Sequence, residues 1–160
     1  VLTPDFQGRA ESLDTLAGAP FAVFNHNLET VPRLYPTVRP GADYQRSLGV
    51  LQSMKERKSG VVAKSGLMVG LGETFDEVVR VFDDLVKNNV EAVTVGQYLR
   101  ATRHNLPVVE YLHPDEFAKL AERAGQAGLK YVACEPLVRS SFNADRMMEQ
   151  IRGSNGAGNS

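Results

Sequence analysis

The chain has 160 residues, 18 Lys and Arg against 19 Asp and Glu, an apolar fraction of 42% and a single cysteine. A formal charge of −1 gives no electrostatic case for nucleic acid or an anionic membrane. No apolar run approaches the ~20 residues of a membrane helix, and one cysteine excludes an internal disulfide. Length predicts one domain large enough to bury a core, and the cysteine usage predicts a reduced, intracellular setting.

In chain order, Val1-Leu2-Thr3-Pro4-Asp5-Phe6 reads as the end of a strand already under way. Val1 is not a start methionine, so the expectation is a piece of a larger protein. Phe21-Ala-Val-Phe24 is a short apolar run ending at polar Asn25, as a buried strand does. Pro32, Pro36, Pro40 and Gly41 predict an irregular loop. Tyr44, Leu48, Leu51 and Met54 then share one helical face, closed by the positive charge of Lys55 to Lys58. Val61-Val62-Ala63 and Leu67-Met68-Val69 suggest the next strand, and Thr74 with Glu77 forms a capping box for a helix carrying Phe75, Val78, Val79, Phe82, Leu85 and Val86. Ala92 to Val95 reads as a strand. Pro114, Asp115 and Glu116 open a helix that stops at Gly128, and Tyr131 to Cys134 is the last strand. Residues 1–152 are expected to form the folded part and 153–160 a flexible Gly/Ser/Asn tail.

Alternating strands and helices predict an α/β fold with a parallel sheet, either an open doubly wound sheet or half of a (β/α) barrel. Both place ligands in the loops after the strands. Those loops are chemically rich. Asn25-His26-Asn27-Leu28-Glu29-Thr30 offers amides, an imidazole and a carboxylate, suited to a ribose or an amino-acid head group or to plain turn chemistry. Lys64 to Thr74 carries Gly70 and Gly72 ahead of a capped helix, which lets backbone approach a ligand. It matches neither dinucleotide nor Walker spacing. Arg100 and Arg103 can clamp an anion or lie on a solvated loop. Cys134 can be a small core hydrophobe. Ser140 with His26 or His104 lacks the Gly-x-Ser-x-Gly elbow of a hydrolase.

Taken together and in order, six stretches resemble lipoyl synthase, a radical-SAM enzyme. They are Pro4-Asp5-Phe6, Asn25 to Val31, Arg39-Pro40-Gly41-Ala42-Asp43-Tyr44, Lys64 to Thr74, Gly96-Gln97-Tyr98-Leu99-Arg100 and Pro136-Leu137-Val138-Arg139-Ser140-Ser141. The resemblance implies the C-terminal half of a partial (β/α) barrel and insertion of two sulfur atoms, at C6 and C8, into a protein-bound octanoyl chain. It implies S-adenosylmethionine and two [4Fe–4S] clusters as cofactors. The implied partners are an octanoylated lipoyl domain or H protein and an electron donor such as ferredoxin or flavodoxin, in the cytoplasm or, in a eukaryote, the mitochondrion. It places Asn25, Asn27, Glu29, Lys64, Ser65, Gly70, Gly72, Glu73 and Arg100 at S-adenosylmethionine. Ser140 would ligate the auxiliary cluster, with Ser141 as the alternative and Arg139 in support.

Three departures stand out: Arg100-Ala101-Thr102 where the family has Arg-Pro-Thr, Phe142 in place of a tyrosine, and Glu135 in place of a small residue. The family's two three-cysteine motifs are not in these residues, so the chain by itself is expected to be inactive. A non-catalytic remnant that binds S-adenosylmethionine or a partner, and a half barrel that binds a phosphorylated metabolite, are the rival readings.

Overall fold

A computed structural model describes residues 1–139. Four parallel strands, β1 (Val23–Asn25), β2 (Val62–Val69), β3 (Ala92–Gln97) and β4 (Tyr131–Cys134), lie side by side in chain order. Five helices connect or flank them: α1 (Ala10–Ala17), α2 (Tyr35–Val38), α3 (Tyr44–Arg57), α4 (Phe75–Lys87) and α5 (Pro114–Ala127). Every residue of β3 is buried, as expected of a parallel sheet covered on both faces. The described residues thus have the α/β half-barrel arrangement expected from the alternating pattern.

The helix ends follow from local chemistry. Asp43 caps α3 by accepting a hydrogen bond from the Arg46 amide at 2.6 Å. Thr74 and Glu77 form the reciprocal capping box at the start of α4. Pro114 opens α5, and Gly128, in the left-handed region at φ +112°, ends it. On α4 the positions Val78, Val81, Phe82 and Leu85 recur at helical spacing, and all are buried in the main core. Phe75, read from the sequence as part of that face, stands at the first helical turn and remains 37% exposed.

Several boundaries differ from the sequence reading. β1 begins two residues later than Phe21, β2 is one continuous strand, and β3 runs on through Gly96 and Gln97. The proline-rich stretch is not irregular throughout. Pro32 opens a 3₁₀ turn and Pro36 sits in the first turn of α2, where a missing N–H costs nothing. α1 has no side-chain cap and buries only Leu13, so it carries almost no periodic signal. The opening residues do continue the sheet: Leu2 bridges Asn25, with the Asn25 amide donating to Val1 O and the Thr3 amide to Asn25 O.

The Glu77 carboxylate also receives Arg33, at 2.7 Å. The Arg33 side chain beside it, together with the Thr74 backbone amide, holds its pKa down to about 2. Because the folded value lies below the unfolded one, this contribution is complete above about pH 4.5 and disappears as pH falls toward 2. Acid titration of Glu77→Gln, followed by circular dichroism, should show a shallower stability loss between those values than the wild type. Equal slopes would show that the pair does not couple to folding.

The two faces of the sheet differ. Phe24, Ala63, Leu67, Val69, Val93, Val95 and Cys134 join the large core beneath the helices. Val62 and Ala92 pack separately with Val23 and Tyr131, forming an apolar floor on the opposite face. Strand alternation puts Asn25, Lys64, Gly66, Met68, Thr94 and Gly96 on that opposite face, above the floor. A polar layer therefore lies between the floor and the carboxyl ends of the strands.

Candidate functional site

At the carboxyl ends of β1, β2 and β3 a cavity of about 170 Å³ is lined by Asn27, Glu29, Gly66, Leu67, Met68, Thr94, Gly96, Gln97, Val138 and Arg139. Its most polar wall is the turn after β1. The Glu29 amide donates to Gly66 O at 2.9 Å and its carbonyl accepts from the Met68 amide at 2.8 Å, so the turn is stitched to β2. Glu29 itself is in the left-handed region at φ +68°, unusual for a residue with a side chain. The Asn27 side-chain amide donates to Glu29 Oε1 at 3.1 Å. Its Oδ1 is buried and has no hydrogen-bond partner among the described residues. A buried, unsatisfied acceptor beside a carboxylate suits a ligand that presents hydroxyl donors.

Two residues to which the sequence reading assigned no role hold this turn. Arg39 donates to Asn27 O at 3.1 Å and Leu28 O at 3.4 Å, and lies 5.5 Å from the centre of the Tyr35 ring. The Tyr35 hydroxyl donates to Leu28 O at 2.9 Å. Gly66 and Gly96 are small for a steric reason. A Cβ at Gly66 would stand 2.8 Å from Asn27 Oδ1, and one at Gly96 would stand 2.3 Å from Val138 O.

The residues expected at the cofactor separate into two groups. Asn27 and Glu29 line the cavity, as does Arg139. Asn25 and Lys64 lie in the buried polar layer below it, and Asn25 Oδ1 has no hydrogen-bond partner among the described residues. Burial holds the Lys64 pKa below the usual lysine range. Ser65 points to the helix side, fully buried, where its hydroxyl accepts from the Leu28 amide at 3.1 Å. It supports the turn and does not line the cavity. At the glycine turn, where a ligand approach is expected, the structure shows an internal contact: Glu73 accepts from the Gly70 amide at 2.5 Å and from the Leu71 amide at 3.0 Å. The Arg100 guanidinium donates within its own loop, to Asn105 O at 2.9 Å and to Arg103 O. Met68, Thr94, Gly96 and Gln97 were not foreseen in the lining.

The histidine and cysteine readings resolve structurally. His26 is 1% exposed and its Nδ1 is 2.9 Å from Thr3 O, so burial lowers its pKa and the neutral ring acts as a packing group. His104 is exposed on the loop after β3. Cys134 belongs to the helix-side core, and burial pushes its thiol up to about 12. A thiol so reluctant to ionise, on the face away from the cavity, does not fit a cluster ligand. Among the described residues no three His, Cys, Asp or Glu side chains are grouped to hold a metal ion. Ser140, the expected cluster ligand, and Ser141, its alternative, lie outside the described residues, as does the 153–160 tail.

A model of the radical SAM superfamily matches residues 1–85, just over half of the chain. The chain belongs to the radical SAM superfamily. Among its relatives are a lipoyl synthase of Idiomarina loihiensis, 53% identical over 146 residues, and one of Methylococcus capsulatus, 54% identical over 147. Each alignment takes in 91% of this chain, but only 45% and 46% of the relative. The lipoyl synthase of Haemophilus influenzae is 51% identical with similar coverage. The chain spans about half the length of the curated relatives it matches. In solved structures, 2,3-dimethylmalate lyase, a member of the PEP mutase/isocitrate lyase superfamily, superposes with a TM-score of 0.52 at 14% identity. That match covers 99% of this chain and 55% of the lyase, a barrel-like fold, and it speaks to architecture alone. The expected resemblance to lipoyl synthase and the expected half barrel both hold.

Proposed function

We propose that this chain forms the S-adenosylmethionine-binding wall of a lipoyl synthase, with the cofactor's ribose against Asn27 and Glu29. The observation that carries this is the unpartnered Asn27 Oδ1 beside the Glu29 carboxylate, in a cavity at the strand ends of a radical SAM chain. When bound, S-adenosylmethionine supplies the radical that abstracts hydrogen from an octanoyl chain. Asn27 and Glu29 hold hydroxyls, Gly66 and Gly96 leave the room, and Arg139 brings positive charge to the rim. Met68 and Val138 contribute apolar wall that excludes water.

The wider reading is sulfur insertion at C6 and C8 of an octanoyl group on a lipoyl domain or H protein, in the cytoplasm, with ferredoxin or flavodoxin as reductant. Support for it is the identity of about half to the lipoyl synthases above. Within this reading both [4Fe–4S] clusters need ligands from outside residues 1–139, Ser140 or Ser141 being one, and this chain alone is inactive. The phosphate-metabolite reading is disfavoured because the Glu73 carboxylate already fills the amide cradle of the glycine turn.

Calorimetric titration of the chain with S-adenosylmethionine tests the proposal. Saturable binding is expected, weakened about tenfold by Asn27→Ala, the order expected for a lost hydrogen bond to a buried group. Binding of inorganic phosphate with no response to S-adenosylmethionine would overturn the proposal in favour of the metabolite reading.

A further inference from the structure

The loop between β3 and α5 crosses the carboxyl ends of the central strands, and its 106–112 stretch forms a strap with little side-chain burial. Val109 and Tyr111 are 65% and 70% exposed, while Leu112 packs on the core margin. Hydrogen bonds to its backbone hold it instead. The Tyr98 hydroxyl donates to Leu106 O at 3.0 Å, and Gly70 O accepts from the Val109 amide at 2.8 Å. Gln97 does the most. Its Nε2 donates to Glu110 O at 3.0 Å and Tyr98 O at 3.1 Å, and its Oε1 accepts from the Leu112 amide at 3.0 Å.

Gln97 is 4% exposed, and as the last residue of β3 it also lines the cavity beside Thr94 and Gly96. A carboxamide is planar, with donors and acceptor fixed relative to one another. The Gln97 side chain therefore ties the strap to the end of β3, the same stretch of backbone that forms part of the cavity wall. The contact leaves no slack: a Cβ at Gly70 would stand 2.3 Å from Gln97 Nε2 and 2.4 Å from Glu110 O.

We propose that Gln97 is a positioning residue for the ligand of the cavity, coupling the cavity wall to the 106–112 strap so that an occupied cavity steadies the strap and a freed strap loosens the wall. This rests on the reading of the cavity as an S-adenosylmethionine site. Gln97 acts through the shape of the wall, not on reacting atoms.

The test is amide hydrogen exchange of the 160-residue chain with and without S-adenosylmethionine, alongside calorimetry. In the wild type the ligand should slow exchange of the Leu112 amide by roughly tenfold or more. Gln97→Met, of similar size without polar groups, should raise Leu112 exchange and weaken the ligand by about tenfold, the order set by a lost buried carboxamide. Gly70→Ala, which keeps the glutamine but forces its carboxamide and the Glu110 carbonyl apart, should also abolish the ligand-dependent protection. Circular dichroism confirms that each variant is folded, and the wild-type comparison needs no variant. Ligand binding to the wild type that leaves Leu112 exchange unchanged would overturn the coupling, as would Gln97→Met binding within about twofold of wild type. Failure of the wild type to bind S-adenosylmethionine removes the site reading first, and is recognised by calorimetry alone.

Discussion

Glu29→Ala is expected to weaken S-adenosylmethionine binding by about ten- to a hundredfold, from hydrogen bonds to a charged group worth ~1.5–3 kcal/mol. The side chain does two things at once. It faces the cavity, and it accepts from the Asn27 amide at 3.1 Å, holding the neighbouring acceptor in place. Truncation removes one ligand contact and releases the other. Glu29→Gln should fall between the two, since an amide oxygen still accepts from Asn27 but carries no charge. Glu29→Gly separates binding from folding. At φ +68° a non-glycine backbone carries strain of about 1–2 kcal/mol, so glycine should preserve or raise thermal stability while losing affinity as alanine does. Calorimetry and melting of the three variants check this. Unchanged affinity in Glu29→Ala would remove the turn after β1 from the site.

Phe82→Ala is expected to cost about 3–5 kcal/mol, a large share of the ~5–15 kcal/mol that holds a domain together. Phe82 is fully buried, and it lies on the face of α4 that also buries Val78, Val81 and Leu85. Removing the ring deletes its transfer energy and leaves a void that close-packed neighbours cannot fill. Phe75→Ala, on the same helix but 37% exposed, should cost less than about 1 kcal/mol. Urea denaturation of both variants measures the difference. Similar losses would mean that the apolar stripe of α4 does not set its packing. The consequence reaches the site, because the core under α4 also supports β2 and β3, which carry Gly66, Thr94 and Gly96.

Much of the fold was legible because its signals are local. The Thr74–Glu77 capping box, Pro114 at the start of α5, Gly128 beyond its end and the stripe on α4 each lie within a few residues. α1 was not legible, since eight residues burying one leucine carry no period. The prolines misled for a simple reason: Pro32 and Pro36 fit a first helical turn as well as they fit a loop. Resemblance named the turn after β1, and the cavity contains its Asn27 and Glu29.

By itself, then, the sequence determined the order of strands and helices, the helix ends and the family, all of which rest on near neighbours or ordered motifs. Only the tertiary structure decided which side each strand residue faces and which polar groups are already spoken for. Ser65 and Gly66 are adjacent, yet one props the turn from the helix side and the other opens the cavity. The Glu73 carboxylate accepts from the Gly70 and Leu71 amides and Arg100 donates to its own loop, contacts that residue type alone does not announce. Gln97 gained its place from Glu110 and Leu112, more than ten residues away. The physical reason is common to all of them: side-chain direction follows from register against the neighbouring strand, and a polar group's availability depends on partners that folding brings from elsewhere in the chain.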